Sequence, residues 1–142
     1  MPISFSGGCV CGEIRYTCSA EPLLVANCHC RDCQQASGSA FATNVVVPVE
    51  SVTVTAGEPS YHSKNADRGQ TMSRGFCSNC GSRLLLKNSA YSSALVIHAS
   101  SLDDPSWVEV EMNIYTESAQ PWDYMDPERL QFPHMPALEE LK

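Results

Sequence analysis

Seven of the eight cysteines fall into three tight clusters: Cys9-Val10-Cys11, Cys28-His29-Cys30-Arg31-Asp32-Cys33 and Cys77-Ser78-Asn79-Cys80. Tight groups of soft thiolates are what zinc selects, so this spacing constrains the fold more than any other feature of the chain. A closed structural zinc site takes four ligands, and Cys9, Cys11, Cys77 and Cys80 supply four. Cys28, Cys30 and Cys33 offer three thiolates and no obvious fourth. Three protein ligands with an exchangeable fourth position is the arithmetic of a catalytic zinc. The expectation is two zinc ions per chain, one in a closed site and one in an open site.

A disulfide framework is the competing reading, since the number of cysteines is even. Two Cys-x-Cys and two Cys-x-x-Cys spacings argue against it, because a staple gains most by closing a longer loop. The opening Met1-Pro2-Ile3-Ser4-Phe5-Ser6-Gly7 also lacks the basic region and apolar run of a secretory signal. Free thiolates suit a reducing compartment, so the expected location is the cytoplasm.

At 142 residues the expectation is a single zinc-binding domain spanning 1–142, with a core over about 5–125 and an irregular acidic tail. No apolar run approaches the roughly 20 residues of a membrane span. A net charge of −7 argues against a nucleic-acid partner. Lys64, Arg68, Arg74, Arg83 and Lys87 are five of the nine basic residues, gathered mid-chain. Such a patch can attract a small anionic substrate or serve only as a solvated loop.

Read in order, the chain is mostly short strands. Gly7-Gly8 and Gly12 permit the sharp turns of a Cys-x-Cys knuckle. Glu13 to Cys18 alternates polar and apolar, a half-buried strand with Ile14, Tyr16 and Cys18 on one face. Cys18 is thus expected to be a buried free thiol. Leu23 to Ala26 leads into the Cys28 cluster, and Arg31 to Ala36 favours one or two helical turns stopped by Ser37-Gly38. The helix would lift Cys33 beside Cys28 and Cys30, its N-terminus favouring thiolate charge. His29 should point away from the sulfurs, as a supporting or surface residue. Further strands are expected over Phe41–Val47, Ser51–Thr55, Arg83–Lys87, Ala94–Ala99 and Trp107–Tyr115, with Val108, Val110, Met112 and Ile114 facing inward. Tyr61 to Gly69 reads as an exposed polar loop.

Cys9-Val-Cys-Gly-Glu-Ile-Arg-Tyr, Cys28-His-Cys-Arg-Asp-Cys-Gln-Gln-Ala-Ser-Gly-Ser-Ala-Phe and Gly75-Phe-Cys-Ser-Asn-Cys-Gly-Ser resemble the three signatures of the glutathione-dependent formaldehyde-activating family. The resemblance covers about residues 5 to 125 in order, spacing and flanking glycines. It implies a mainly β, Mss4-like fold of coiled antiparallel sheets built around zinc, with at most short helices. It also implies a structural zinc on Cys9, Cys11, Cys77 and Cys80 and a catalytic zinc on Cys28, Cys30 and Cys33. The enzymes that give the family its name are longer. Many members carry a sequence like His-Ile-Phe-Val where this chain has Asn113-Ile114-Tyr115-Thr116.

The activity so implied is that of a carbon–sulfur lyase acting on a thiol adduct such as S-(hydroxymethyl)glutathione, with a small thiol, glutathione among the candidates, as partner. The substrate thiol would be the fourth ligand of the open zinc. Arg31 and Arg74 are candidates for substrate carboxylates, and Gln34, His29 and Tyr61 for proton handling. The alternative is a non-catalytic zinc-binding interaction module, its second site closed by Cys18 or by a partner's side chain.

Overall fold

A computed structural model describes residues 4–66 and 68–136. Residues 1–3, 67 and 137–142 lie outside the described residues, and with them the first part of the N-terminal reading and the end of the acidic tail. The strands in chain order are β1 (Phe5–Gly8), β2 (Arg15–Cys18), β3 (Leu24–Cys28), β4 (Ala42–Pro48), β5 (Val52–Ala56) and β6 (Ser60–Asn65). They continue with β7 (Thr71–Phe76), β8 (Arg83–Asn88), β9 (Ala94–His98), β10 (Met112–Ile114) and β11 (Leu130–Gln131). One α-helix, α1 (Arg31–Ser37), lies between β3 and β4. The fold is mainly β, as the sequence implies, and forms two compact units.

The first unit comprises Met1–Leu24 and Val45–Val108. Here β1-β2-β5 form an antiparallel sheet, with Phe5 opposite Cys18 and Cys18 opposite Val52. Strands β6 to β9 pair antiparallel in sequence order. Leu84, Leu85 and Leu86 are consecutive and all buried, the pattern of a strand covered on both faces. Ile14, Tyr16 and Cys18 are buried together, matching the alternation of that segment. Cys18 is fully buried, its sulfur 3.3 Å from Ser51 Oγ and 3.6 Å from the Ala20 carbonyl.

Three local readings are corrected. Gly7-Gly8 is strand, not turn: a Cβ on Gly7 would stand 2.3 Å from the Tyr16 hydroxyl and 2.4 Å from the Ser101 carbonyl. Glycine is there for close approach. Residues 61–69 are not all loop, because Ser60–Asn65 is a strand antiparallel to β7. Its side chains are nearly all exposed and polar, so no apolar period betrays it; backbone pairing and a Ser63–Ser73 side-chain bond of 2.8 Å hold it. Finally, only Met112–Ile114 of the expected Trp107–Tyr115 strand is formed. Val108 and Val110 are half-exposed, and the Val108 amide is drawn back to the Pro105 carbonyl at 3.1 Å in a turn.

The second unit comprises Val25–Asn44 and Glu109–Lys142. β10 lies beside β3 in parallel, with Met112 opposite Ala26 and Ile114 opposite Cys28, and β11 adds in parallel beyond it. Both parallel pairs have the long connections that parallel strands need, residues 29–111 between β3 and β10 and 115–129 between β10 and β11. α1 ends at Gly38, whose φ of 68° is the left-handed conformation that closes a helix.

Candidate metal centres

In the first unit, the loop after β1 carries Cys9 and Cys11, and the loop after β7 carries Cys77 and Cys80. Their four sulfurs all lie within 4.8 Å of one another. The Cys9–Cys11 and Cys11–Cys77 separations are 3.5 and 3.7 Å. Four thiolates around one zinc stand about 3.8 Å apart, given Zn–S bonds of about 2.3 Å, so the cluster fits a tetrahedral ion. No disulfide forms.

The two knuckles are built alike. The Gly12 amide returns to the Cys9 carbonyl at 3.1 Å, and the Gly81 amide to the Cys77 carbonyl at 2.7 Å. Both glycines are left-handed, with φ of 81° and 79°, and the Asn79 and Cys80 amides bond the Cys77 sulfur and the Cys11 amide the Cys80 sulfur. The Ile14 amide donates to Cys9 Sγ at 3.2 Å. Ser82 Oγ lies 3.2 Å from Cys80 Sγ and accepts the Val10 amide at 3.0 Å. The Ser82 hydroxyl and amide, with the Cys11 amide, push the Cys80 thiol down to about 6, so it is ready to ligate as thiolate.

In the second unit, Cys28 closes β3, Cys30 caps α1 and Cys33 lies on its first turn. Cys30 Sγ accepts the Cys33 amide at 3.3 Å, and the three sulfurs lie within 4.8 Å of one another. Among the described residues no His, Asp, Glu or further Cys joins this group, and Cys18 belongs to neither cluster. The neighbouring Cys30 and Cys33 sulfurs, and then burial, push the Cys28 thiol well above its ordinary range. Three crowded thiolates therefore need a cation, and the donor set suits a soft one.

Of the two expectations for His29, a supporting or a surface residue, burial leaves the first: Nε2 is 3.2 Å from Asn113 Oδ1 and Nδ1 is 3.5 Å from Asp123 Oδ2. Gln34 is no free proton carrier. Its Nε2 donates to the His29 and Ser118 carbonyls at 2.6 and 3.0 Å, and its Oε1 accepts from Arg31 at 2.5 Å and from Gln120 at 3.1 Å. Arg31 is exposed and gives one guanidinium nitrogen, Nη1, to that contact. Arg74 and Tyr61 belong to the first unit, where Lys87 Nζ sits 4.5 Å over the Tyr61 ring. Sequence reasoning missed Ser82, Asn113, Gln120 and Asp123; only Ser82, directly after Cys-x-x-Cys-Gly, carries a local signal.

This is a mainly β protein with two separate cysteine clusters, one of four sulfurs and one of three, each able to hold a soft metal ion. The sequence profile of the glutathione-dependent formaldehyde-activating enzyme family matches residues 4–118, and the chain belongs to that family. A protein of Fusarium vanettenii, provisionally named a glutathione-dependent formaldehyde-activating enzyme, is 28% identical over 127 residues, covering 81% of this chain and 65% of its own. A Penicillium rubens protein of the same provisional name is 28% identical over 123 residues, covering 81% of this chain and 63% of its own. The chain thus spans just under two thirds of the curated relatives it matches. A crystal structure of a Rhodobacter sphaeroides protein shares the fold, with a TM-score of 0.58 at 14% identity, covering 89% of this chain and 98% of that one. Among the described residues no helix is long and apolar enough to cross a membrane.

Proposed function

We propose that the chain is a zinc-dependent carbon–sulfur lyase that acts, as one zinc-binding domain of the cytoplasm, on a thiol adduct such as S-(hydroxymethyl)glutathione. Cys9, Cys11, Cys77 and Cys80 hold a structural zinc, and Cys28, Cys30 and Cys33 hold the catalytic one. The observation that carries this reading is the contrast between a four-sulfur cluster and a three-sulfur cluster with no fourth described ligand. When bound in the second cluster, zinc supplies Lewis acidity and a place for a substrate sulfur. In cleavage, the C–S bond breaks with its electron pair going to sulfur while the hydroxyl proton leaves and C=O forms. The products are thiol and formaldehyde, and synthesis is the reverse.

The chain's own residues prepare the site. Cys30 is held by the Cys33 amide, and Gln34 fixes the His29 carbonyl, so the knuckle is preorganised before substrate arrives. Three thiolates leave the loaded site with a formal charge of −1, which suits a soft sulfur ligand better than activation of water.

The test is cobalt substitution, with absorption spectra recorded before and after adding glutathione and other small thiols, together with formaldehyde consumption. The reading expects a thiol to change the bands of one metal and spare the other. If no thiol alters either, the protein is a zinc-binding interaction module instead.

A further inference from the structure

The family match ends at residue 118, yet the segment just beyond it returns to the Cys28–Cys30 knuckle at two points. Gln120 reaches Gln34, which holds the His29 carbonyl. Three residues later, Asp123 Oδ2 faces His29 Nδ1 at 3.5 Å. The other ring nitrogen faces Asn113 on β10, and the Phe41 ring lies against the imidazole with centroids 5.4 Å apart. His29 and Asn113 are each 1% exposed, and the Asp123 side chain 13%.

Three buried atoms in this group lack a hydrogen-bond partner: His29 Nδ1, Asn113 Nδ2 and Asp123 Oδ2. Such atoms are rare in folded proteins, because each costs its lost hydration. One assignment brings each of these three to a partner, leaving Asn113 Oδ1 in the place that Nδ2 vacates. The two ends of an asparagine amide are set by their hydrogen bonds, not by shape. With Asn113 turned so that Nδ2 donates to His29 Nε2, the ring proton resides on Nδ1 and points at Asp123 Oδ2. The opposite tautomer would aim a ring lone pair at a carboxylate.

We infer that Asp123 is a positioning residue: it accepts the Nδ1 proton of His29 and so locks the backbone between the Cys28 and Cys30 sulfurs. A ring held at both nitrogens cannot rotate, and the two sulfurs flanking it in sequence inherit that order. Segment 118–123 is then part of the metal site although most of it lies past the family match. The inference rests on the three-cysteine metal site proposed above and is independent of the reaction.

The test uses Asp123→Ala, Asp123→Asn and His29→Phe in the full chain. Asp123→Ala should weaken cobalt at the three-cysteine site by about 10- to 100-fold and shift its bands, sparing those of the four-cysteine site. Asp123→Asn should fall between it and the parent, and it decides the matter if the alanine variant misfolds. Adding Asp123→Ala to His29→Phe should cost no further affinity. Nitrogen spectra of the parent imidazole should place the proton on Nδ1.

Parent affinity and bands in both Asp123 variants, additive losses with His29→Phe, or a ring proton on Nε2 alone would each overturn the inference. If thiols fail to perturb the parent cobalt bands while Asp123→Ala still does, the lyase reading falls and this one stands. A parent chain that takes up a single cobalt overturns both.

Discussion

Val10 and Ser82, 72 positions apart, are joined by a hydrogen bond from the Val10 amide to the Ser82 hydroxyl at 3.0 Å. The same hydroxyl lies 3.2 Å from the Cys80 sulfur, so one small side chain ties the two knuckles together and tempers a ligand. Ser82→Ala removes a donor that favours the Cys80 thiolate. Protons should then compete with metal at higher pH, and release to a chelator should quicken roughly tenfold. Chelator-driven metal loss measured across pH tests this; unchanged rates would leave Ser82 with no part in the site.

The two clusters should differ in what they support. Cys80→Ala removes one of four ligands of the four-sulfur cluster, and because metal binding there is folding free energy, the variant should lose cooperative unfolding. Cys33→Ala should keep the fold, take up one metal per chain and lose activity. Metal analysis alongside circular dichroism distinguishes the cases. The assignment of roles would be reversed by a folded Cys80→Ala and an unfolded Cys33→Ala.

Cys18 is buried against Ser51 and lies in neither cluster. Cys18→Ser should therefore retain two metals per chain, while costing about 1 kcal/mol for a hydroxyl placed where a thiol was buried. Loss of the second metal would make Cys18 a ligand.

His98 is buried, and its pKa is pushed down to about 4 by desolvation, with the Arg74 and Arg83 charges adding to it. Its folded value is below the ordinary 6.5, so the unfolded chain binds the proton first. Stability should be undiminished above about pH 6.5 and fall between about 6.5 and 4, by at most about 3 kcal/mol. Denaturant unfolding of the parent and of His98→Gln should show that slope in the parent only.

Gly7→Ala should destabilise the first unit by about 3 kcal/mol, since the new Cβ would meet both the Tyr16 hydroxyl and the Ser101 carbonyl. Tyr16→Phe removes the hydroxyl and its 2.5 Å bond to Ser101 Oγ, but leaves the ring carbon Cζ, 2.5 Å from the new Cβ, and the backbone carbonyl. The double variant should remain less stable than Tyr16→Phe alone, which thermal melts can decide.

The metal clusters were legible in the sequence because cysteine spacing is local chemistry: Cys9, Cys11, Cys77 and Cys80 converge as their number and glycines imply. So was α1, whose stop at Gly38 is written in its neighbours. β6 was not legible, because a polar edge strand has no apolar face to alternate. Residues 107–111 misled for the opposite reason: their alternation is real, but the turn after Asp104-Pro105 takes the backbone out of register. The surroundings of His29 were invisible because Asn113 and Asp123 arrive from distant sequence, and nothing local marks an asparagine or aspartate for burial. The pairing of β10 with β3 was invisible for the same long-range reason.

At seven residues, α1 is too short to persist in water on its own. It persists here because the Cys30 sulfur caps it and Gln34 clamps it to the chain on either side. The sulfur that would grip a metal is thus also the first rung of the helix. An oxidant that consumed that sulfur would remove a metal ligand and a helix cap in one stroke.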